Sequence, residues 1–118
     1  MNYDIIIHKV GGINLNIGDI QTLFNNKEVV LTQHFLDKIE LRDIKILDIK
    51  QAIINGEIIE NYPDDYPYPS ALVLGFSDNK PLHIVAGIGS DLLWLITAYY
   101  PDSDIWEDNN RTRKVEEL

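Results

Sequence analysis

Three basic side chains stand four residues apart in one short stretch: His34, Lys38 and Arg42. Imidazole moves protons near neutral pH. Guanidinium and ammonium groups hold phosphate. Metal-free RNA cleavage needs a base for the 2′-hydroxyl, an acid for the leaving oxygen and cations for the phosphate. On a helix, the spacing i, i+4, i+8 puts all three groups on one side. The drift over eight residues is about 80°, so they form a loose stripe. The other histidines are His8 and His83. His83 interrupts an otherwise apolar run, PLHIVAG. A catalytic set of His34, Arg42 and His83 therefore needs a fold that brings His83 against the stripe across a groove. Each residue also has a plainer role. His34 fixes the helix entry, Lys38 and Arg42 share a solvated face with Asp37, Glu40 and Asp43, and His83 is a hydrogen-bonded buried ring.

Lys38, Tyr99, Trp106, Arg111 and Arg113 are the candidate substrate-binding residues. Tyr99 closes the last apolar run, as a site rim or as a core cap. Trp106 is either a base-stacking platform or an anchor for the tail. The run Arg111-Thr112-Arg113-Lys114 either takes phosphate or pairs with surface acids such as Glu116 and Glu117. The acidic run Asp102, Asp104, Glu107, Asp108 lacks the glycine and distal glutamate of a calcium loop. There is no HExxH, no P-loop and no dinucleotide fingerprint. No serine or cysteine nucleophile motif is present. No metal and no cofactor are expected.

The elements that must position these residues follow from periodicity and turn chemistry. Residues 3–9, YDIIIHK, read as a strand closed by Gly11-Gly12, and 19–25 as a short helix. Thr32 is a suitable N-cap for a helix with Phe35, Leu36 and Ile39 in its apolar stripe. A further helix spans 46–55, with Ile46, Ile49, Ile53 and Ile54 inward and Gly56 as a left-handed C′ residue. After Gly56 the period changes. Residues 57–61, 71–77, 82–88 and 92–99 read as strands separated by turn residues. Short links imply a four-stranded antiparallel meander, with the helices covering one face. The expected class is α+β, with an N-terminal extension over 1–28 and an α+β domain over 29–118. The extension is expected to add an edge strand.

The first and second meander strands are joined by NYPDDYPYPS, which holds Tyr62-Pro63, Tyr66-Pro67 and Tyr68-Pro69. Each proline fixes its own φ and keeps the preceding tyrosine out of the helical region. The loop is therefore stiff. It serves either as a cover for the sheet edge or as the wall of a cleft with phenol rings for stacking. Cis X-Pro bonds are uncommon in folded proteins, which favours trans throughout.

The chain has 118 residues and a net charge of −9. One domain of this size buries a core without staples. The absence of cysteine excludes disulfides and thiolate metal sites. The opening residues lack the pattern of a signal peptide, and no apolar run is long enough to span a bilayer. The expected address is the cytosol of a microbe, with no membrane partner. The negative charge repels nucleic acid at long range. A small cationic site still works, because salt screens the remote field beyond about 8–10 Å.

The motifs from about 29 to 113 resemble a family of small bacterial and archaeal domains, the domain of unknown function 4258 family. They are His34, Lys38 and Arg42, then DIKQAIINGEIIENYP, then ALVLG, then PLHIVAG with His83, then ITAYYPD with Tyr99. Trp106 and Arg111 or Arg113 close the pattern. The family usually has arginine where Lys38 stands. Its helix-helix-sheet order is similar to the RelE-like and barnase-like toxin ribonucleases. The resemblance implies a toxin-like endoribonuclease, with RNA and a cognate antitoxin protein as partners. The alternative is a non-catalytic protein-interaction module of the same fold.

Overall fold

The computed structural model describes residues 13–115. In chain order the elements are α1 (Ile17–Asn25), β1 (Val29–Leu31), α2 (Gln33–Leu41), α3 (Ile46–Ile54), β2 (Glu57–Tyr62), β3 (Ser70–Ser77), β4 (Lys80–Gly89) and β5 (Leu92–Tyr99). The class is α+β. The sheet is five-stranded and mixed, in the order β1-β5-β4-β3-β2.

The helix starts are set by side chains that satisfy otherwise orphaned backbone N–H groups. Asn16 Oδ1 accepts from Gly18 N at 2.7 Å, and Thr32 Oγ1 accepts from Phe35 N at 3.1 Å. At α3 the Lys45 N–H donates to Asp48 Oδ2 at 2.8 Å. The other Asp48 oxygen accepts from the Ser77 hydroxyl at 2.6 Å, which ties α3 to the sheet. These bonds, the Ser77 one first, hold the Asp48 carboxyl below the usual carboxylate range.

The helices cover one sheet face. Ile20, Phe35, Ile39, Ile49 and Ile53 form one apolar cluster with Val73, Leu82, Ile84 and Leu95. Ile20 belongs to it, so α1 shares the core of the rest of the chain. The inward arc of α3 centres on Ile49, Ala52 and Ile53. Ile46 and Ile54, expected inside, are 44% and 59% exposed. At about 100° per residue, Ile54 falls nearly opposite that arc. Gly75 lets α3 approach β3 directly, because a Cβ there would collide with the Ala52 backbone. Gly56 does not take the expected left-handed φ. A Cβ there would come within 2.6 Å of the Ala52 carbonyl and of Val73, so close packing is what keeps it glycine.

The four predicted strands appear nearly at their expected limits. Two-residue turns with positive φ link β3 to β4, at Asp78 (49°) and Asn79 (65°), and β4 to β5, at Ser90 (55°) and Asp91 (61°). The four-stranded antiparallel meander is corrected by β1, which adds to β5 in parallel, with Val29 opposite Leu93 and Leu31 opposite Leu95. Its three residues are too few for any periodicity to stand out. The strand and edge strand expected over 3–9 lie outside the described residues. The Tyr66-Pro67 bond is cis, not trans.

The second sheet face is covered too. Leu72 and Leu74 point away from the helices and are 0% and 1% exposed. The segment after β5 folds back over this face, burying Trp106 against the ring of His83, the partner of Leu74, and bringing Arg113 to Glu60, the partner of Leu72. Among the described residues, no helix is long and apolar enough to cross a membrane.

Candidate functional site

His34 lies in the first turn of α2, just after the Thr32 cap, and its side chain is exposed. It stands at the mouth of a groove of about 300 Å³, lined by Thr32, Tyr66, Tyr68, Trp94 and Ile96 among others. Three elements build this groove. The start of α2 gives one wall, and β5 gives the floor through Trp94 and Ile96. The Tyr-Pro loop gives the opposite wall. Ile96 reaches it because β5 bulges there: Thr97 pairs with Val85 and Leu95 with Ala86, leaving Ile96 as an extra residue. Bulges commonly re-aim side chains beside functional sites.

Lys38 and Arg42 continue along α2 from His34. The axial distance from His34 to Arg42 is about 12 Å, at 1.5 Å per residue. Lys38 is half-buried. Arg42 bends over the sheet edge, where its Nη1 donates to Ala98 O at 2.8 Å and to Thr97 Oγ1 at 3.1 Å. β1 ends opposite Leu95, and among the described residues no strand flanks the rest of β5's outer edge, where the guanidinium bonds Ala98 O. Of the acids near the stripe, Asp37 accepts from Gln33 Nε2 at 2.8 Å.

His83 sits elsewhere. It lies on β4 between Leu74 and Tyr99, on the face that the tail covers. Its ring is fully buried, 4.6 Å from the Trp106 ring and 5.3 Å from that of Tyr99, edge-to-face with both. Nε2 donates to Asn110 O at 2.7 Å, since a carbonyl only accepts. Nδ1 is buried, with no hydrogen-bond partner among the described residues. Burial pushes the imidazole pKa below its ordinary value, against the raising effect of the Asn110 carbonyl, so the ring is neutral at pH 7.

Acids engage the tail cations. Arg113 makes a bidentate pair with Glu60, with Nε at 2.8 Å and Nη2 at 3.0 Å, and lies over the Trp106 ring at 4.6 Å. The same carboxylate accepts from Tyr62 Oη at 2.5 Å. Arg113, first, holds the Glu60 pKa below its usual range. Burial, then the bond to Glu60, pushes the Tyr62 phenol up to about 12. Arg111 pairs with Glu57. Tyr99 is half-buried and its phenol pKa is raised by burial.

The fold thus sorts the candidates into two groups. His34, Lys38 and Arg42 line one side of α2, beside the open groove. His83, Trp106, Arg113 and Arg111 belong to the cover of the second sheet face, and Tyr99 lies between the groups. His83 does not face the stripe across a groove, because Trp106 seals it. Tyr66, Tyr68 and Trp94 were not singled out as site residues. The density of Tyr-Pro pairs was a signal for a stiff loop, read as either a sheet-edge cover or a cleft wall. Trp94 carried none, since a large aromatic in a strand reads as core. Among the described residues, no three His, Asp or Glu side chains gather as a metal-binding group.

The profile of the family described as Domain of unknown function (DUF4258) matches residues 31–100, more than half of the 118 residues. The chain belongs to the DUF4258 family. No curated protein matches the chain, and no solved structure does. The DUF4258 match takes in His34, Lys38, Arg42, His83 and Tyr99. It stops before Trp106, Arg111 and Arg113, which the resemblance had included. The cover of the second face therefore lies largely outside the DUF4258 match, whereas the α2 stripe and the groove lie within it.

Proposed function

We propose that this DUF4258 domain is a metal-independent, RNase-like toxin domain whose working surface is the α2 stripe and the groove beside it. The observation that carries the reading is the exposed His34 at the mouth of an aromatic groove, with Lys38 and Arg42 following on the same helix. His34 takes the 2′-hydroxyl proton, and the 2′-oxygen bonds to phosphorus as the bond to the 5′-oxygen breaks. Lys38, one turn along, supplies the proton to the departing oxygen and is reprotonated from water, while His34 releases its proton to water. Arg42, fixed by Thr97 and Ala98, holds the neighbouring phosphate. His83 acts in this scheme only as a structural ring. Element order similar to RelE-like and barnase-like toxins supports the reading by analogy alone. A toxin of this kind is held in check by a cognate antitoxin protein.

Purified protein incubated with total RNA and a chelator tests this. Cleavage that leaves 2′,3′-cyclic phosphate ends is expected, and intact RNA at high protein concentration would sink the proposal. A second reading, a non-catalytic protein-interaction module, is favoured by one other observation. A groove of about 440 Å³ between α1, β1 and α3 exposes Leu31, Ile46 and Leu47. Binding of a protein partner by a chain inert towards RNA would select that reading.

A further inference from the structure

We propose that the groove beside His34 is a nucleobase subsite that takes one unpaired base of a single-stranded RNA. The inference rests on the RNA reading above and adds the substrate class.

The groove has the features that base stacking needs. Its aromatic side chains are held before any ligand arrives. The Trp94 indole donates through Nε1 to Gly89 O at 3.0 Å. The Tyr68 ring packs on Trp94 with centroids 5.5 Å apart and planes tilted by 34°. Tyr68 also lies flat on Gly89, where any Cβ would run into its ring. Its hydroxyl is in hydrogen-bond contact with Ser90 Oγ at 3.0 Å. Tyr66 is different, because its ring is 93% exposed while Pro67 restricts its backbone. Exposing a large ring on a stiff loop is hard to explain by stability. It is well suited to closing over a flat ligand.

The dimensions and charges limit the occupant. A space of about 300 Å³ admits one base and its sugar, not a peptide helix or a duplex. Paired bases have both faces stacked, so only an unpaired base can offer a face to Tyr66 or Trp94. Lys38 and Arg42 lead away from the groove along α2, and no carboxylate of the described residues lines it. The cations fit a sugar-phosphate chain leaving the subsite. On a protein of net charge −9, binding must come from such local contacts rather than from the overall field. Stacking is tolerant of base identity, so the subsite selects unpaired RNA rather than one sequence.

The test uses the full chain and uncleavable 2′-deoxy oligonucleotides, read by tryptophan fluorescence. A single-stranded oligonucleotide is expected to quench the wild type, and Trp94→Phe should abolish the quenching. Tyr66→Ala, at an exposed position that the fold does not depend on, should weaken binding roughly five- to 150-fold. Tyr66→Phe should restore it. A duplex of the same sequence, or an abasic strand, should not quench. The inference is overturned if the abasic strand binds as tightly as the normal one, or if Tyr66→Ala leaves both oligonucleotide affinity and the KM for RNA cleavage unchanged. The two readings separate cleanly. Base-dependent binding without cleavage of any RNA keeps the subsite and removes the nuclease. Cleavage indifferent to Tyr66 does the reverse.

Discussion

The two described histidines of this chain have opposite surroundings. His34 is exposed on the first turn of a helix, beside an aromatic groove. His83 is sealed between Trp106 and Tyr99, with one nitrogen spent on Asn110 O and the other without a partner among the described residues. The residue type is the same, and the difference comes from what packs on it. A buried neutral ring contributes to packing and pays for its polar atoms with one good bond. An exposed ring contributes almost nothing to stability and is available for proton transfer. The same contrast holds for the cations. Arg113 is held by the Glu60 carboxylate and Trp106, whereas Arg42 is fixed only by neutral acceptors, Thr97 Oγ1 and Ala98 O, and keeps its charge for a ligand.

Removing the seal gives the largest expected effect. Trp106→Ala uncovers His83 on the second sheet face, and large aromatic-to-alanine changes in cores cost about 3–5 kcal/mol. Urea unfolding measures it. A loss below about 1 kcal/mol would mean that the tail does not hold the second sheet face. Arg42→Ala comes next. It leaves Ala98 O and Thr97 Oγ1 without their Arg42 donor. Hydrogen bonds from a charged group contribute roughly 1.5–3 kcal/mol, and partial exposure puts the expected loss at the lower end. Arg42→Lys should recover only part of it, because an ammonium does not reproduce the guanidinium fork. Full recovery would reduce Arg42 to a surface charge.

Much of one region was legible in the sequence, and little of the other. Short runs of branched and aromatic residues, and turn residues such as Asp78-Asn79 and Ser90-Asp91, marked the strands, because both signals are local. Thr32 marked the start of α2 for the same reason. β1 was missed because three residues show no period and its partner strand comes far later in the chain. The cover over His83 was illegible for a related reason. Arg113 meets Glu60 across 53 positions, and nothing near either residue announces the other. His83 could be identified as a polar ring in an apolar strand, but not as a sealed one. The groove was half legible. The Tyr-Pro loop could be read as a stiff cover or as a wall, while Trp94 and the bulge at Ile96 appear only once the register is known.

Acid should distinguish the two regions next. His83 is held neutral in the folded chain and has an ordinary pKa of 6.5 when unfolded. The unfolded state therefore binds more protons below pH 6.5, so stability is complete above that value and falls as pH drops below it. One such group gives a slope of at most about 1.4 kcal/mol per pH unit. Glu60 acts in the same direction from a lower onset. Its folded pKa is depressed from 4.5, so its contribution is present above 4.5 and is lost as pH falls through the folded value. The groups facing His83 are Glu60, which favours its charged form, and Arg113, which opposes it. Stability curves measured from pH 8 to pH 4 should bend first near 6.5. A flat profile down to pH 5 would mean that His83 is hydrated rather than sealed.

The smallest expected stability change sharpens the contrast most. His34→Ala removes an exposed side chain that makes no bond holding α2, since Thr32 caps the helix. Such surface changes stay within about 0.5 kcal/mol. Under the proposed function, the same substitution removes the general base and lowers RNA cleavage roughly 10²–10⁴-fold. Stability and activity thus move independently at His34, whereas at His83 any change in activity should follow the loss of fold. Measuring both quantities on both variants compares the two regions in one experiment. If His34→Ala keeps full cleavage while a folded His83→Gln loses it, the assignment of the open groove as the working surface is wrong, and the sealed ring must open during the reaction.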